Sequence, residues 1–505
     1  MRKLHQKQIL EILQTIKEAQ DKRQYGDCQE GSLALCDFID SIAGTDTQTV
    51  TMLLQYCEAL FKVNNGELAE KHLRKFIVKI ENSVKLELKP SRIEIVFLSY
   101  KASMSDSLES VYFAARANPS CDAYWIPIPY YEIVGNTQHL RYEGADCYSD
   151  RFEVTDWQAY DIETRRPDAI FTFAPYDAGN HVTRVHPNFY CERLKDFTDM
   201  LVYVPYFISP PVLGAANSLT SGILHSNLSV MQSEHARQQY IYYFSKAIEG
   251  NEKAIEIFSS KVIALGSPKV DKLLNEKPED YPIPKEWQKK ILNIKERKGH
   301  IVFYNTTIYA LLSYTNEKHS DYLTKMEKVF EYFKRLESVL LLWRPHPLLE
   351  QTFKSMRPNI YAKFNELRES FISTGRGIYD DSPDVHRAVQ LSDAMYGDHS
   401  SIWVMFKILG KPTLLQGFDI NFKSGLKWES SYAAHNYLYE KVKAKPGYPH
   451  FYYGYVETNL PLFIENLPAQ LANNEVRKTE YLTNYLDSAD GTAGEKILNY
   501  VISQL

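Results

Sequence analysis

The run SVLLLWRPHP (residues 338–347) and, some fifty residues later, LSDAMYGDHSSIWVMFKILGKPTLL (391–415) decide how this chain is read. Each opens as a short apolar strand and stops abruptly at polar residues. The first ends in Arg344, Pro345, His346 and Pro347, the second in Asp398, His399, Ser400 and Ser401. Strands apolar on both faces belong to parallel sheets covered by helices, and in open sheets of that kind ligands lie beyond the strands' carboxyl ends. The two polar ends therefore point to one site. Residues 398–401 also open a helical segment, whose unpaired N–H groups and dipole favour a phosphate. Arg344 offers a planar fork of donors for the same anion.

Outward from these stretches the pattern repeats. HIVFYNTT (300–307), GIYDD (377–381) and PTLLQ (412–416) join SVLLLW (338–343) and AMYGD (394–398) as one set of strands separated by amphipathic helices. An earlier set comprises IEIVFLS (93–99), AYWIPIP (123–129), AIFTFAP (169–175), MLVYVPY (200–206), NLSVMQ (227–232) and KVIALG (261–266), with the proline-marked YPIPKEWQKK (281–290) between the sets. The expectation is α/β: two consecutive Rossmann-like, doubly wound units over 91–265 and 266–488, with a cleft between them. Residues 1–85 carry only helical periodicity, for example Ile9, Leu13 and Ile16, and are read as a small all-α module suited to packing or oligomerisation. A last helix, 489–505, is expected to cross back onto the first unit.

Composition narrows the function. A chain of 505 residues with 44% apolar and 24% charged side chains is globular over several domains. The net charge of −5, without a basic block, does not ask for nucleic acid. Six cysteines, with no CxxC spacing and none in the last three hundred residues, argue for a reducing compartment and against structural zinc. No apolar run is long enough to span a bilayer, and the N-terminus lacks a signal-peptide core. The expected location is cytoplasmic, at most peripheral to the inner face of the cell membrane. HExxH, EF-hand, Walker A and GxSxG motifs are all missing from the sequence.

Gly266-Ser267-Pro268-Lys269-Val270-Asp271, Arg344-Pro345-His346-Pro347, Ser392-Asp393, Asp398-His399-Ser400-Ser401 and Leu409-Gly410-Lys411-Pro412 together resemble the second half of the CDP-glycerol glycerophosphotransferase family. The resemblance implies a GT-B-like scaffold and transfer of a polyol phosphate, most simply glycerol phosphate, from a CDP-polyol to a hydroxyl of a surface polymer or its precursor, with release of CMP. It places Arg344 and His346 at the donor diphosphate and Ser400 and Ser401 at donor phosphate, and extends the donor set to Lys269, Asp398 and His399. Neither cofactor nor metal is expected. Two departures stand out. The family's Asp-Tyr-Ser-Ser is Asp398-His399-Ser400-Ser401 here, and its His-Gly turn, source of the base, has no counterpart, since the sequence contains no His-Gly dipeptide.

The base is therefore sought in PYDAGNHVTRVHPNFY (175–190), after a first-unit strand, with His186 the first choice and Asp177 its partner or substitute. Lys101 and Ser103, after the first strand, are candidates for holding the acceptor, and Asp106 for capping the following helix. A glycosyltransferase using a nucleotide sugar, and a non-catalytic nucleotide- or polymer-binding protein, are the competing readings.

Overall fold

The structure, a computed structural model, describes every residue except 45, 135–136, 181–182, 210–217, 314–318, 383, 399, 416–459 and 487–489. The chain begins with four helices: α1 (Lys3–Asp21), α2 (Tyr25–Ala43), α3 (Gln48–Asn64) and α4 (Lys71–Glu87). Ile9, Leu13 and Ile16 of α1 meet Leu35 and Ile39 of α2, Leu53 and Leu60 of α3 and Ile77 and Ile80 of α4 in one apolar cluster. The spacing of three and four residues puts each set on one helical face, and each fully buried Leu or Ile contributes about 1.5–3 kcal/mol. The Glu87 carboxylate, at the end of α4, accepts from the free amides of Gln48 (2.6 Å) and Thr49 (2.8 Å), so one helix end caps the start of another. Arg2 joins this module to the next unit, its Nε donating to Asp168 at 3.0 Å and its Nη1 to the Arg165 carbonyl at 2.7 Å.

The first α/β unit is built on a parallel sheet in the order β2-β1-β5-β7-β8-β9. These strands are β1 (Ile93–Ser99), β2 (Cys121–Pro127), β5 (Ala169–Thr172), β7 (Met200–Tyr203), β8 (Leu228–Met231) and β9 (Val262–Ala264). All six apolar runs of the earlier set are strands. The runs predict more at their carboxyl ends than forms: 169–175 and 200–206 stop pairing at Thr172 and Tyr203, beyond which the chain turns toward the cleft. A small antiparallel sheet, β4-β3-β6, made of β3 (Tyr130–Val134), β4 (Thr137–Arg141) and β6 (Thr183–Val185), was not anticipated.

The second unit carries the parallel sheet β12-β11-β10-β13-β14. Its strands are β10 (His300–Thr306), β11 (Val339–Pro345), β12 (Gly377–Tyr379), β13 (Ala394–Gly397) and β14 (Thr413–Leu415), matching the later set of apolar runs. Trp343 of β11 is fully buried among Phe330, Phe364, Phe371 and Tyr379, which fixes this strand against the helices over one face. The fold is thus mixed α/β, two parallel-sheet units in series behind an all-α module. The helix Ala493–Gln504 packs against Glu109–Ala117 and places Ile497, Leu498 and Val501 in the core of the first sheet. The Asp271 carboxylate caps that helix, accepting from Ala493 N (3.0 Å) and Gly494 N (2.7 Å). Gly494 lies so close to Ser110 that a Cβ there would sit 2.5 Å from its carbonyl carbon.

Candidate active site

In the second sheet the chain runs outward from the central β10 through β11 to β12 and then returns to β13 on the other side of β10, so the crevice opens between the carboxyl ends of β10 and β13. Register aligns Arg344 of β11, Asn305 of β10 and Gly397 of β13 in one row across that edge. Gly397 has φ +144°, and a Cβ would fall 2.2 Å from the Asn305 carbonyl oxygen, so only glycine lets the strands close here. The buried Asn305 amide ties the row to the next turn, its Nδ2 donating to the Asp398 carbonyl and to Ser400 Oγ, both at 2.9 Å.

The predicted residues separate into those that hold this edge together and those that face outward. Asp398 is buried, its Oδ2 accepting from Thr307 N (2.7 Å) and from the Tyr322 hydroxyl (3.1 Å). It clamps the start of the segment after β10 and is not presented to a ligand. Ser400 is the N-cap of the helix Ser401–Ile408, accepting from Ile402 N at 3.2 Å, while Ser401 is exposed on the first turn. His399 lies outside the described residues.

Arg344 is only 4% exposed, and its fork is held by the turn after β12. Nη1 contacts Asp380 Oδ2 at 2.5 Å and Nη2 donates to the Ser382 carbonyl at 2.7 Å. Two of its five N–H donors are thus spent on Asp380 and the Ser382 carbonyl, which gives Arg344 a part in positioning the strand end. Lys269 is likewise committed, its ammonium 2.8 Å from Asp106 Oδ2 and 3.3 Å from the Tyr206 carbonyl.

His346 is the outward group of the set. Its backbone N–H donates to the Thr306 carbonyl at 2.8 Å, while its side chain is exposed at the strand end. Leu348 N donates to His346 Nδ1 at 3.2 Å. A backbone amide can only donate, so Nδ1 carries no proton and the neutral ring presents Nε2–H. Crowding by surrounding protein, and then the Arg344 charge, hold this imidazole below the ordinary histidine range, which favours the neutral form. His346 borders a cavity of about 430 Å3 that Arg344 also lines, together with Arg368, Tyr379, Asp381 and Ser382.

In the first sheet the equivalent crevice lies between β1 and β5. Lys101 follows β1, its ammonium 5.0 Å from the Tyr130 ring centroid, and Ser103 is exposed in the 3-10 turn Ala102–Ser107. Glu143 pins this turn by accepting from Ala102 N (2.7 Å) and the Tyr130 hydroxyl (2.9 Å). Asp177 is 7% exposed and spends its carboxylate on the amides of Cys191 (2.9 Å) and Glu192 (3.4 Å), although burial raises its pKa. It is a cap, which corrects the expectation of a base.

His186 repeats the geometry of His346. Asn188 N donates to its Nδ1 at 3.3 Å, again leaving Nε2–H on the neutral ring, and burial lowers its pKa. The ring stacks on Tyr131 with centroids 5.8 Å apart. In this tautomer Nε2 carries the ring's one N–H, which sets His186 to donate rather than to take up a proton there. Among the described residues no cluster of three or more His, Cys, Asp or Glu side chains is placed to hold a metal ion.

Sequence reasoning missed Asn305 and the partnership of Asp380 and Ser382 with Arg344. GIYDD carries the same apolar-then-polar signature as SVLLLWRPHP and AMYGDHSS, and is the available signal. A model of the CDP-glycerol:poly(glycerophosphate) glycerophosphotransferase family matches residues 225–503, more than half of the chain. The chain belongs to this family. The matched region contains the whole of the second sheet and the row Arg344–Asn305–Gly397. This family member also resembles solved structures. They include the wall teichoic acid polymerase TagF (12% identity, 90% of this chain and 97% of that chain, TM-score 0.46), a UDP-N-acetylglucosamine 2-epimerase (10%, 82% and 96%, 0.47) and UDP-GlcNAc 2-epimerase from Neisseria meningitidis (11%, 82% and 100%, 0.42). No curated protein matches the chain.

Proposed function

We propose that this glycerophosphotransferase moves glycerol phosphate from CDP-glycerol to a hydroxyl of a surface polymer or its precursor. The family match over 225–503 carries the reading. In the reaction the acceptor oxygen attacks the phosphorus that bears glycerol. A new P–O bond forms, the bond from that phosphorus to the CMP oxygen breaks, CMP leaves with the electron pair, and the acceptor's proton is released.

The assigned roles follow from which groups remain open. His346, through Nε2–H, donates to a diphosphate oxygen, and the start of Ser401–Ile408 adds backbone dipoles beside it. Arg344, Asp398, Asn305 and Ser400 hold those two elements in register. Lys101 supplies positive charge for an acceptor phosphate and Ser103 a hydroxyl contact, with His186 a further donor on that side. A neutral donor suits this chemistry, since it stabilises charge appearing on the phosphoryl oxygens without strongly retaining the CMP product. Among the described residues no helix is long and apolar enough to cross a membrane, and we place the enzyme against the inner membrane face, where polymer is assembled.

The test is product analysis with purified protein, a glycerol-phosphate-primed acceptor, and CDP-glycerol, CDP-ribitol or a UDP-sugar as donor. CMP release and polymer extension with CDP-glycerol are expected. Release of UDP from the nucleotide sugar alone identifies a glycosyltransferase and overturns the reading.

A further inference from the structure

One cluster of buried charge lies outside the site and joins the two α/β units. Asp106, at the end of the turn Ala102–Ser107 in the first unit, is 4% exposed. Lys269, from the helix Pro268–Asn275, and His386, from the helix Val385–Leu391, converge on its Oδ2 at 2.8 Å and 2.7 Å. Burial alone would raise the Asp106 pKa, but the Lys269 charge and the His386 hydrogen bond outweigh it and hold the carboxyl below the usual range. His386 is 2% exposed, and its Nδ1 is buried with no hydrogen-bond partner. Such a group is unfavourable to bury, and nothing in the reaction uses it.

The cluster's place gives it a use. The turn that carries Asp106 begins beside Lys101 and contains Ser103. The helix that carries His386 is capped by Asp384, whose Oδ1 accepts from His386 N at 2.8 Å. Directly before it come Asp380 and Ser382, the residues that hold Arg344. A continuous set of contacts therefore runs from the acceptor-side turn, through Asp106 and His386, to the strand end bearing His346. A carboxylate held between an ammonium and an imidazole nitrogen, both at hydrogen-bond distance, fixes one spacing.

We infer that Asp106 is a positioning residue: by binding Lys269 and His386 it sets the separation between the acceptor turn and the donor edge across the cleft. The inference rests on the proposed transferase reading.

The test uses the full chain and two variants. Asp106→Glu keeps the charge and its partners but lengthens the arm by one methylene. It is expected to lower kcat by about tenfold or more, with the KM for CDP-glycerol within about twofold of the wild type, because small misplacements of reactants are costly. The triple variant Asp106→Leu/Lys269→Leu/His386→Leu removes every member and leaves no buried charge unpaired. It is expected to melt near the wild-type temperature yet turn over no faster than Asp106→Glu. Normal kcat in either variant overturns the positioning role.

A second readout is independent of turnover. Spin labels on the exposed native Cys147 and on Glu366→Cys, one in each unit, report the separation directly. A broadened or shifted distance distribution in the variants is expected, and an unchanged one overturns the inference. A wild-type enzyme inert toward CDP-glycerol refutes the transferase reading instead, and the label distances still decide the role of Asp106.

Discussion

Replacing Arg344 with alanine separates two roles that the sequence alone merges. In the structure the guanidinium is paired with Asp380, whose side chain is fully buried, and also holds the Ser382 carbonyl. Removing it leaves the Asp380 carboxylate buried with only Ser382 N (3.1 Å), Ser382 Oγ (2.6 Å) and, at 3.6 Å, Arg387. Breaking a buried pair typically costs about 3–5 kcal/mol, and these remaining partners put the expected loss near the lower end. For a unit of this size roughly 2–4 °C accompanies each kcal/mol, so the second unit should melt about 6–12 °C lower. Differential scanning calorimetry beside a CMP-release assay reads both consequences. The variant Arg344→Met/Asp380→Leu should recover most of the lost stability without recovering turnover, since the ion pair is replaced by apolar volume but the 380–384 turn loses its anchor. If Arg344→Ala melts within about 2 °C of the wild type while losing turnover at saturating donor, the guanidinium reaches substrate and the positioning argument is wrong.

Three further outcomes are expected. Ser400→Ala should cost about 1 kcal/mol in denaturant unfolding through loss of the helix cap, with weaker binding of CDP-glycerol by calorimetry; tight binding in that variant would detach the helix start from the donor. Gly397→Ala should destabilise by about 2–4 kcal/mol, because positive φ and a close approach to Asn305 act together; a melt like the wild type's would show that the β10–β13 contact is loose. The His346 ring should titrate below 6.5 in an NMR experiment, so it stays neutral as pH falls from 8 to that value. Since its folded pKa lies below its unfolded one, the unfolded state gains protons first, and stability falls as pH drops through the window beginning near 6.5. A midpoint at or above 6.5 would contradict the crowding and charge that lower it.

How much of this was legible in the chain depends on the distance over which each feature is determined. Parallel strands covered on both faces must be continuously apolar, so IEIVFLS and SVLLLW announce themselves, and so do the polar residues where they end. The strands Tyr130–Val134 and Thr137–Arg141 escape because their hairpin carries Glu132, Gln138, His139 and Arg141 with no sustained apolar run, and β4 is exposed along its length. Site residues were found by type and position, but their partners were not. Arg344 and Asp380 are 36 residues apart and Asp106 and His386 are 280 apart. The first pairing arises only once the second sheet has assembled and the second only once the two units have docked, and no local periodicity encodes either. The role of Asp177 was misread for the same reason: its carboxylate is taken by amides fourteen and fifteen residues on.

The helix Ala493–Gln504 carries a consequence for any shortened form of the enzyme. It follows the second α/β unit in the chain but completes the hydrophobic interior of the first. Trimming it would uncover the face of Glu109–Ala117 rather than loosen the part it trails, so damage would surface nearly four hundred positions upstream of the cut. The same return passage gives the two units a second covalent tether, so a cut in either connection alone would not part them.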